Sequence, residues 1–186
     1  MMRYFKKELQ SLILKKRFVV LLFALVLFMP SFSYDFEVDG IYYNKTGSNT
    51  VGVTYKSDYD SGYSGDIIIP EQVDFNGTTY SITSIGGCAF SYCSGLTSIT
   101  IPNSVTTIDD ETFFDCSGLS SVVIPNSVTS IGRSAFYRCT NLTSVIIGES
   151  VTSIGETTFY ECHRLASVTI PNSVTSIGSH AFYRCI

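Results

Sequence analysis

The chain has 186 residues, a formal net charge of −4, 45% hydrophobic residues and 15% charged residues. That balance is too apolar for a disordered chain. It is not basic, so it gives a nucleic-acid partner no electrostatic footing. Two histidines, His163 and His180, and no tryptophan leave little material for a histidine metal site or a histidine base.

The charge is unevenly distributed. Residues 1–33 carry Arg3, Lys6, Lys7, Lys15, Lys16 and Arg17 against one acid, Glu8. An uncharged apolar run follows from Phe18 to Phe28, and Ser31 and Ser33 place small residues ahead of Tyr34. This order of basic, apolar and small residues predicts a secretory signal peptide over 1–33. An uncleaved anchor is the alternative, but the run falls short of the about 20 residues that span a bilayer. Residues 34–186 hold six bases against fifteen acids, a net of −9, which disfavours nucleic acid and anionic membrane surfaces. No membrane insertion is expected after signal cleavage. The mature chain would meet an oxidising, extracytoplasmic setting.

Residues 34–84 read as an N-terminal β cap that includes an atypical first coil. Asp39-Gly40 between Phe36-Glu37-Val38 and Ile41-Tyr42-Tyr43 is a strong hairpin signal. Thr50 to Tyr55 supplies a further strand, and Ser57 to Gly65 is a loop. Ile67-Ile68-Ile69-Pro70 matches Ile99-Thr100-Ile101-Pro102 further on, and Asn76-Gly77 inserts a second hairpin turn before Ile82 to Ile85.

From residue 85 to 186 the chain repeats itself every 23 residues. Ile85, Ile108, Ile131, Ile154 and Ile177 form one column. Phe90, Phe113, Phe136, Phe159 and Phe182 form a second, and Cys93, Cys116, Cys139, Cys162 and Cys185 a third. Leu96, Leu119, Leu142 and Leu165 keep the same step. Within a unit, Leu96, Ile99 and Ile101 point inward, with Thr100 between the last two pointing out. Pro102 ends the strand, Asn103-Ser104 turns the chain, and Val105 to Ile108 forms a second short extended segment. Ala135-Phe136-Tyr137-Arg138-Cys139 has the spacing of one helical or 3₁₀ turn. A coil this short buries its apolar face only by stacking on its neighbours, which repeats equivalent atoms at about 4.8 Å. The phenylalanine column then becomes an offset-stacked internal ladder.

The unit resembles the leucine-rich repeat of the BspA type, found in bacterial surface proteins. Ser84-Ile85-Gly86 through Ala89-Phe90, the Cys93-x-x-Leu96 spacing and Ile101-Pro102-Asn103-Ser104-Val105-Thr106 carry the likeness, which extends from Ile67 to Ile186. The commoner leucine-rich repeat places Asn or Cys after its strand; here that place holds Ser104, Ser127, Ser150 and Ser173. The resemblance implies a mainly β, right-handed solenoid, export, surface display and binding of host or neighbouring-cell proteins. The last repeat stops at Ile186 before its strand, which leaves the coil end at Leu165 to Ile170 expected to be largely uncovered and suggests a fragment of a longer protein.

Five of the six cysteines share one column. Disulfides need Cβ atoms about 3.8 Å apart and turned towards each other, so parallel side chains about 4.8 Å apart favour buried free thiols. Cys88 lies outside the column, and pairing with Cys93 stays open. Asp58-x-Asp60-x-Gly62-x-Ser64-x-Asp66 has the oxygen spacing of a calcium loop, but Tyr63 stands at the sharp turn and Ile69 at the bidentate position, so a solvated loop is expected. No metal, cofactor or catalytic residue is assigned. The hydroxyls recur with the repeat, whereas a triad is singular. Asp109, Asp110, Glu111 and Asp115 read as a solvated turn rather than a carboxylate pair for glycoside hydrolysis.

Positions that vary between repeats are the better candidates for recognition. Phe114, Asp115, Tyr137, Arg138, Tyr160, Glu161, Tyr183 and Arg184 follow the buried phenylalanines and should project along a ridge. Exposed aromatics interleaved with charge suit protein recognition; the competing reading is that the rings only stack on one another. The outward strand face, Ser98, Thr100, Ser121, Val123, Ser144, Ile146, Ser167 and Thr169, is small, partly apolar and uncharged. Glycosylation sequons begin at Asn44, Asn76 and Asn141. The expected function is a secreted or cell-surface repeat protein that binds extracellular or host proteins, in adhesion or host interaction. A glycan-binding or carbohydrate-active solenoid and a non-functional fragment are the alternatives.

Overall fold

The computed structural model describes residues 34–56 and 62–186. The basic and apolar stretch over 1–33 lies outside the described residues, as do Asp58 and Asp60. Among the described residues the regular structure is entirely β.

The first hairpin forms where Asp39-Gly40 predicts it. Strand β1 (Phe36–Val38) pairs antiparallel with β2 (Ile41–Lys45), with Asp39 at φ 50° and Gly40 at φ 76°. Strand β3 (Thr50–Thr54) pairs antiparallel with β2. Strand β4 (Gly65–Ile68) is followed by a second hairpin, β5 (Gln72–Phe75) with β6 (Thr78–Ile85), turned at Asn76 and Gly77. From β6 onward every pairing is parallel. Strands β8 (Thr107–Ile108), β10 (Ser130–Ile131), β12 (Ser153–Ile154) and β13 (Ser176–Ile177) each add one coil to the same sheet, in the order β3-β6-β8-β10-β12-β13. The second wall of the solenoid is β4 with β7 (Leu96–Thr100), then β9 (Ser121–Val123) with β11 (Ser144–Ile146), continued by a bridge from Ile146 to Thr169. Ile67 stands opposite Ile99, so the first coil is in step with the repeats it precedes.

Between the walls lies one core. Leu96, Ile99, Ile101, Val105, Ile108 and their equivalents as far as Ile154 are buried. The rings of Phe90, Phe113, Phe136, Phe159 and Phe182 stack with centroids 5.2, 5.0, 5.3 and 5.3 Å apart and planes within 12°. Tyr63 extends the ladder at the other end, 4.4 Å from Phe90. In the last coil Phe182 and Cys185 are half-buried and Ile177 is exposed. Of the stretch expected to be largely uncovered, Ala166, Ser167, Thr169 and Ile170 are exposed and Val168 is half-buried, while Leu165 alone is buried.

The segment around each phenylalanine corrects the helical or 3₁₀ reading. It is a chain of turns. Tyr137 N–H donates to Ser134 C=O at 3.1 Å and Cys139 N–H to Phe136 C=O at 3.3 Å. The alternate amides of Ser134, Phe136 and Arg138 donate instead to Glu156, Thr158 and Tyr160 of the next coil, each at 2.8 Å. This alternation needs left-handed residues, and two columns supply them: Cys88, Glu111, Ser134, Thr157 and His180, then Tyr92, Asp115, Arg138, Glu161 and Arg184, all at φ between 52° and 60°. A helix would have kept those amides within its own turn.

The cysteine column has a hydrogen-bonding role beyond its size. Cys116, Cys139, Cys162 and Cys185 each donate their thiol to the carbonyl of the phenylalanine one coil earlier, Phe90, Phe113, Phe136 and Phe159, at 3.0 to 3.2 Å. None of the six cysteines forms a disulfide. Cys88 lies within 3.8 Å of Glu111 Oε2. Burial pushes Cys139 well above the ordinary thiol value, and pushes Cys162 up to about 12 with the thiol of Cys185 adding to the shift.

Three outcomes follow from this core. Phe136→Ala, which removes a ring stacked on both faces, is expected to cost about 3–5 kcal/mol in urea unfolding, whereas Val123→Ser on the exposed face should change stability little. Thiol titration should leave the buried cysteines silent in the native chain and reveal at least four reactive thiols once the unreduced protein is unfolded; fewer than four would mean disulfides. A thiol whose folded pKa lies above its unfolded value stabilises the fold fully below the unfolded value, and that contribution is lost as pH rises towards the folded one. For Cys162 that window runs from the ordinary thiol value of 9.0 to about 12. The urea midpoint should therefore fall across it, less steeply in Cys162→Ala.

Candidate functional site

Two surfaces run along the solenoid, one on the turns and one on the second wall.

On the turn side, the residue after each of Phe113, Phe136, Phe159 and Phe182 places a ring outside. Phe114 and Tyr137 stack at 4.7 Å and 1°, Tyr137 and Tyr160 at 4.8 Å and 3°, and Tyr160 and Tyr183 at 5.1 Å and 23°. The next column carries the charges. Arg138 lies 3.8 Å from Asp115 and 3.7 Å from Glu161, and Arg184 donates to Glu161 at 2.8 Å. Arg184 also sits over the Tyr183 ring at 5.5 Å. The structure thus brings Phe114, Tyr137, Arg138, Tyr160, Glu161, Tyr183 and Arg184 together as two adjacent ladders. It also sets the limits of that ridge: the inner rings cover one another's faces, so they present edges and hydroxyls, and each charge already faces an opposite one. A sugar ring stacking on an aromatic face finds no free platform between Phe114 and Tyr160.

One ridge residue escapes the repeat pattern. Tyr92 is 68% exposed and tilts against Phe114 at 5.3 Å. It lies one position late, in the column of Asp115, Arg138, Glu161 and Arg184, while Ser91 takes the column of Phe114. The signal was present in the sequence as an aromatic in a charge column.

The acids at 109–111 are engaged by a neighbouring coil. Arg133 Nη2 donates to Glu111 Oε1 at 2.9 Å, and the Arg133 amide donates to Asp110 Oδ1 at 2.7 Å. Burial, then the charge of Asp110, raises Asp109 above the usual carboxylate range. Asp66, the last oxygen of the calcium-like spacing, accepts from Thr97 Oγ1 and Ser98 Oγ at 2.7 Å each, and these bonds lower its pKa. Among the described residues no group of three His, Cys, Asp or Glu side chains is placed to hold a metal ion. Asn44 Oδ1 accepts from the Asp35 amide, while Asn76 and Asn141 are exposed.

On the second wall, Ser121, Ser144 and Ser167 face outward beside Thr100, Val123, Ile146 and Thr169, while Ser98 is partly covered. Val123 is 57% and Ile146 59% exposed. The pairing of β4 with β7 adds a residue that sequence reasoning missed: Ile68, opposite Thr100, is 72% exposed. It is visible in hindsight as the central residue of Ile67-Ile68-Ile69-Pro70, matching Thr100. The outward column is therefore Ile68, Thr100, Val123, Ile146 and Thr169, three large apolar residues with no charge among them.

Solenoid geometry, the 23-residue step and the two display surfaces define a leucine-rich repeat protein. Six copies of the BspA type leucine-rich repeat region match residues 71–186, and the chain belongs to that family. A leucine-rich repeat protein from Bacteroides ovatus is 37% identical with a TM-score of 0.75, over 82% of this chain and 39% of that one. The leucine-rich repeat protein of T. pallidum is 27% identical with a TM-score of 0.72, over 81% of this chain and 67% of that one. A leucine-rich cell surface protein from Faecalibacterium prausnitzii is 26% identical with a TM-score of 0.56, over 81% and 52%. The chain thus spans about two-fifths to two-thirds of the length of these structures. No curated protein matches it.

The charged ladder yields a bounded expectation. Glu161 faces two arginines on a partly exposed ridge, so Glu161→Gln should lower stability by no more than about 1 kcal/mol, most visibly at low salt, in urea unfolding at 20 mM and 500 mM NaCl.

Proposed function

We propose that this chain is an exported binding module of a bacterial cell surface that takes an extracellular or host protein onto its second wall, in adhesion or host interaction and without chemistry of its own. One observation carries the reading. The column Ile68, Thr100, Val123, Ile146 and Thr169 exposes apolar side chains on a regular, uncharged surface. Burying such a surface against a partner releases water from apolar area and strips no charge of its hydration. Exposed apolar patches of this kind mark interaction sites.

The ridge is the weaker candidate for the same role. Its stacked faces and paired charges have less to gain from a partner, and desolvating ion pairs costs what the contact returns. Export rests on the basic, apolar and small-residue order of residues 1–33. Surface display is in keeping with the Faecalibacterium protein, which is described as a leucine-rich cell surface protein. Hydroxyls recurring in columns, without a singular constellation, favour binding over catalysis.

The test titrates the purified full chain, as monomer, against immobilised fibronectin and fibrinogen. Saturable binding is expected. Val123→Lys with Ile146→Lys should weaken it at least about tenfold, because two lysines would be desolvated at the contact. Tyr137→Ala and Tyr160→Ala should weaken it by less than about threefold. Loss in the tyrosine variants with retention in the lysine variants moves the site to the ridge. No binding by a folded monomer removes matrix proteins as partners.

A further inference from the structure

The apolar column does not stop at the first repeat. Ile68 also lines a cleft of about 410 Å³ bounded by the β1–β2 hairpin and β5. Val38, Ile41 and Val73 line it, with Tyr43 among them, and two carboxylates, Asp39 and Asp74, stand exposed at it. No lysine or arginine lines it. Tyr43 lies close enough to Asp39 that the carboxylate charge adds to burial in pushing its phenol up to about 12. The cleft therefore pairs apolar walls with negative charge and opens beside one end of the uncharged stripe.

That pairing matches one kind of side chain. Lysine and arginine lay a methylene stem along apolar surface and keep a cationic head in a polar setting. Among the described residues, no arginine or lysine faces either carboxylate across the cleft. The stripe from Ile68 to Ile146 spans three coil steps, about 14 Å at the spacing of neighbouring strands, or four to five residues of extended chain. We infer that the cleft receives an arginine or lysine side chain of a partner protein whose adjoining extended segment lies along Ile68, Val123 and Ile146. The inference rests on the protein-binding reading above and gives it a direction, with the cation at the hairpin end.

The probe is a fluorescein-labelled eight-residue peptide, one arginine followed by alternating valine and threonine, with blocked ends. Its control carries glutamine in place of arginine. Fluorescence anisotropy with the full chain at 50 mM and 300 mM NaCl should show saturable binding of the arginine peptide, at least about tenfold tighter than the control, and weaker at the higher salt. Asp39→Asn with Asp74→Asn should reduce the arginine peptide to the level of the control. Both substitutions keep the fold: Asn-Gly is a favoured turn, and an amide oxygen at 74 still accepts the Thr79 hydroxyl. A melting curve checks this.

Equal binding of the two peptides, no binding of either, or indifference to the double variant overturns the assignment. So does competition by arginine amide as strong as by the peptide, which would make the cleft a site for small cations. If the peptide fails while matrix proteins still bind through Val123 and Ile146, the cleft assignment falls and the proposed function stands. If the peptide behaves as expected and no matrix protein binds, the cleft stands and the adhesive partner is the part that falls.

Discussion

Every coil of this protein is held by the backbone of the next. Buried amides and carbonyls need partners, and a 23-residue coil has too few residues to satisfy them internally. The chain solves this by translation. Thr129 N–H donates to Thr106 C=O, Thr152 to Thr129 and Thr175 to Thr152, all at 2.9 to 3.0 Å. The side chains repeat the rule: the hydroxyls of the same threonines donate to the same carbonyls. The thiols of Cys116, Cys139 and Cys162 do likewise to the phenylalanine carbonyls one coil back. One extra residue in a coil would break the backbone, hydroxyl, thiol and ring ladders together. The constant step is thus a condition of burial, and the identical residues in each column are its consequence.

The same constraint explains the strained turns. A non-glycine residue in the left-handed region costs on the order of 1 kcal/mol, and each coil carries two of them. They persist because they turn alternate amides outward to the next coil, as at Ser134, Phe136 and Arg138. The turn also decides what the ridge displays. The residue after each phenylalanine and the left-handed residue after that emerge side by side, so an aromatic column and a charge column become neighbours. The ridge is therefore partly a by-product of how the coil closes.

The columns made most of this legible in the sequence. Hairpins at Asp39-Gly40 and Asn76-Gly77, the in-register match of Ile67 with Ile99 and the inward Leu96, Ile99 and Ile101 all follow from turn chemistry and period-two alternation. The turn segment was not legible, because Ala135, Phe136 and Cys139 face one side equally well in a helix and in a run of turns. The left-handed columns hold Glu, Ser, Thr, Arg and Tyr as well as Asp and His, so no glycine marks them. Tyr92 was hidden for the opposite reason: it breaks the residue type of its column, and a pattern built on likeness passes over the exception, whereas Ile68 lies in the atypical first coil, ahead of the regular repeats.

The two surfaces differ in what stacking leaves free. On the ridge, rings at 4.7 to 5.1 Å lie face to face, and each spends its apolar area on its neighbours. On the second wall the side chains stand roughly perpendicular to the strands, so β-branched tips at similar spacing leave their ends in water. Val123 and Ile146 remain more than half exposed for this reason, although they sit in the same coils as the ridge rings. The period that makes an aromatic column self-sufficient leaves an aliphatic column unsatisfied. Substituting the outward strand position from threonine, as at Thr100, to valine or isoleucine changes nothing inside the solenoid and adds apolar area outside it. That position is where this fold can acquire a binding surface at least cost to its own stability.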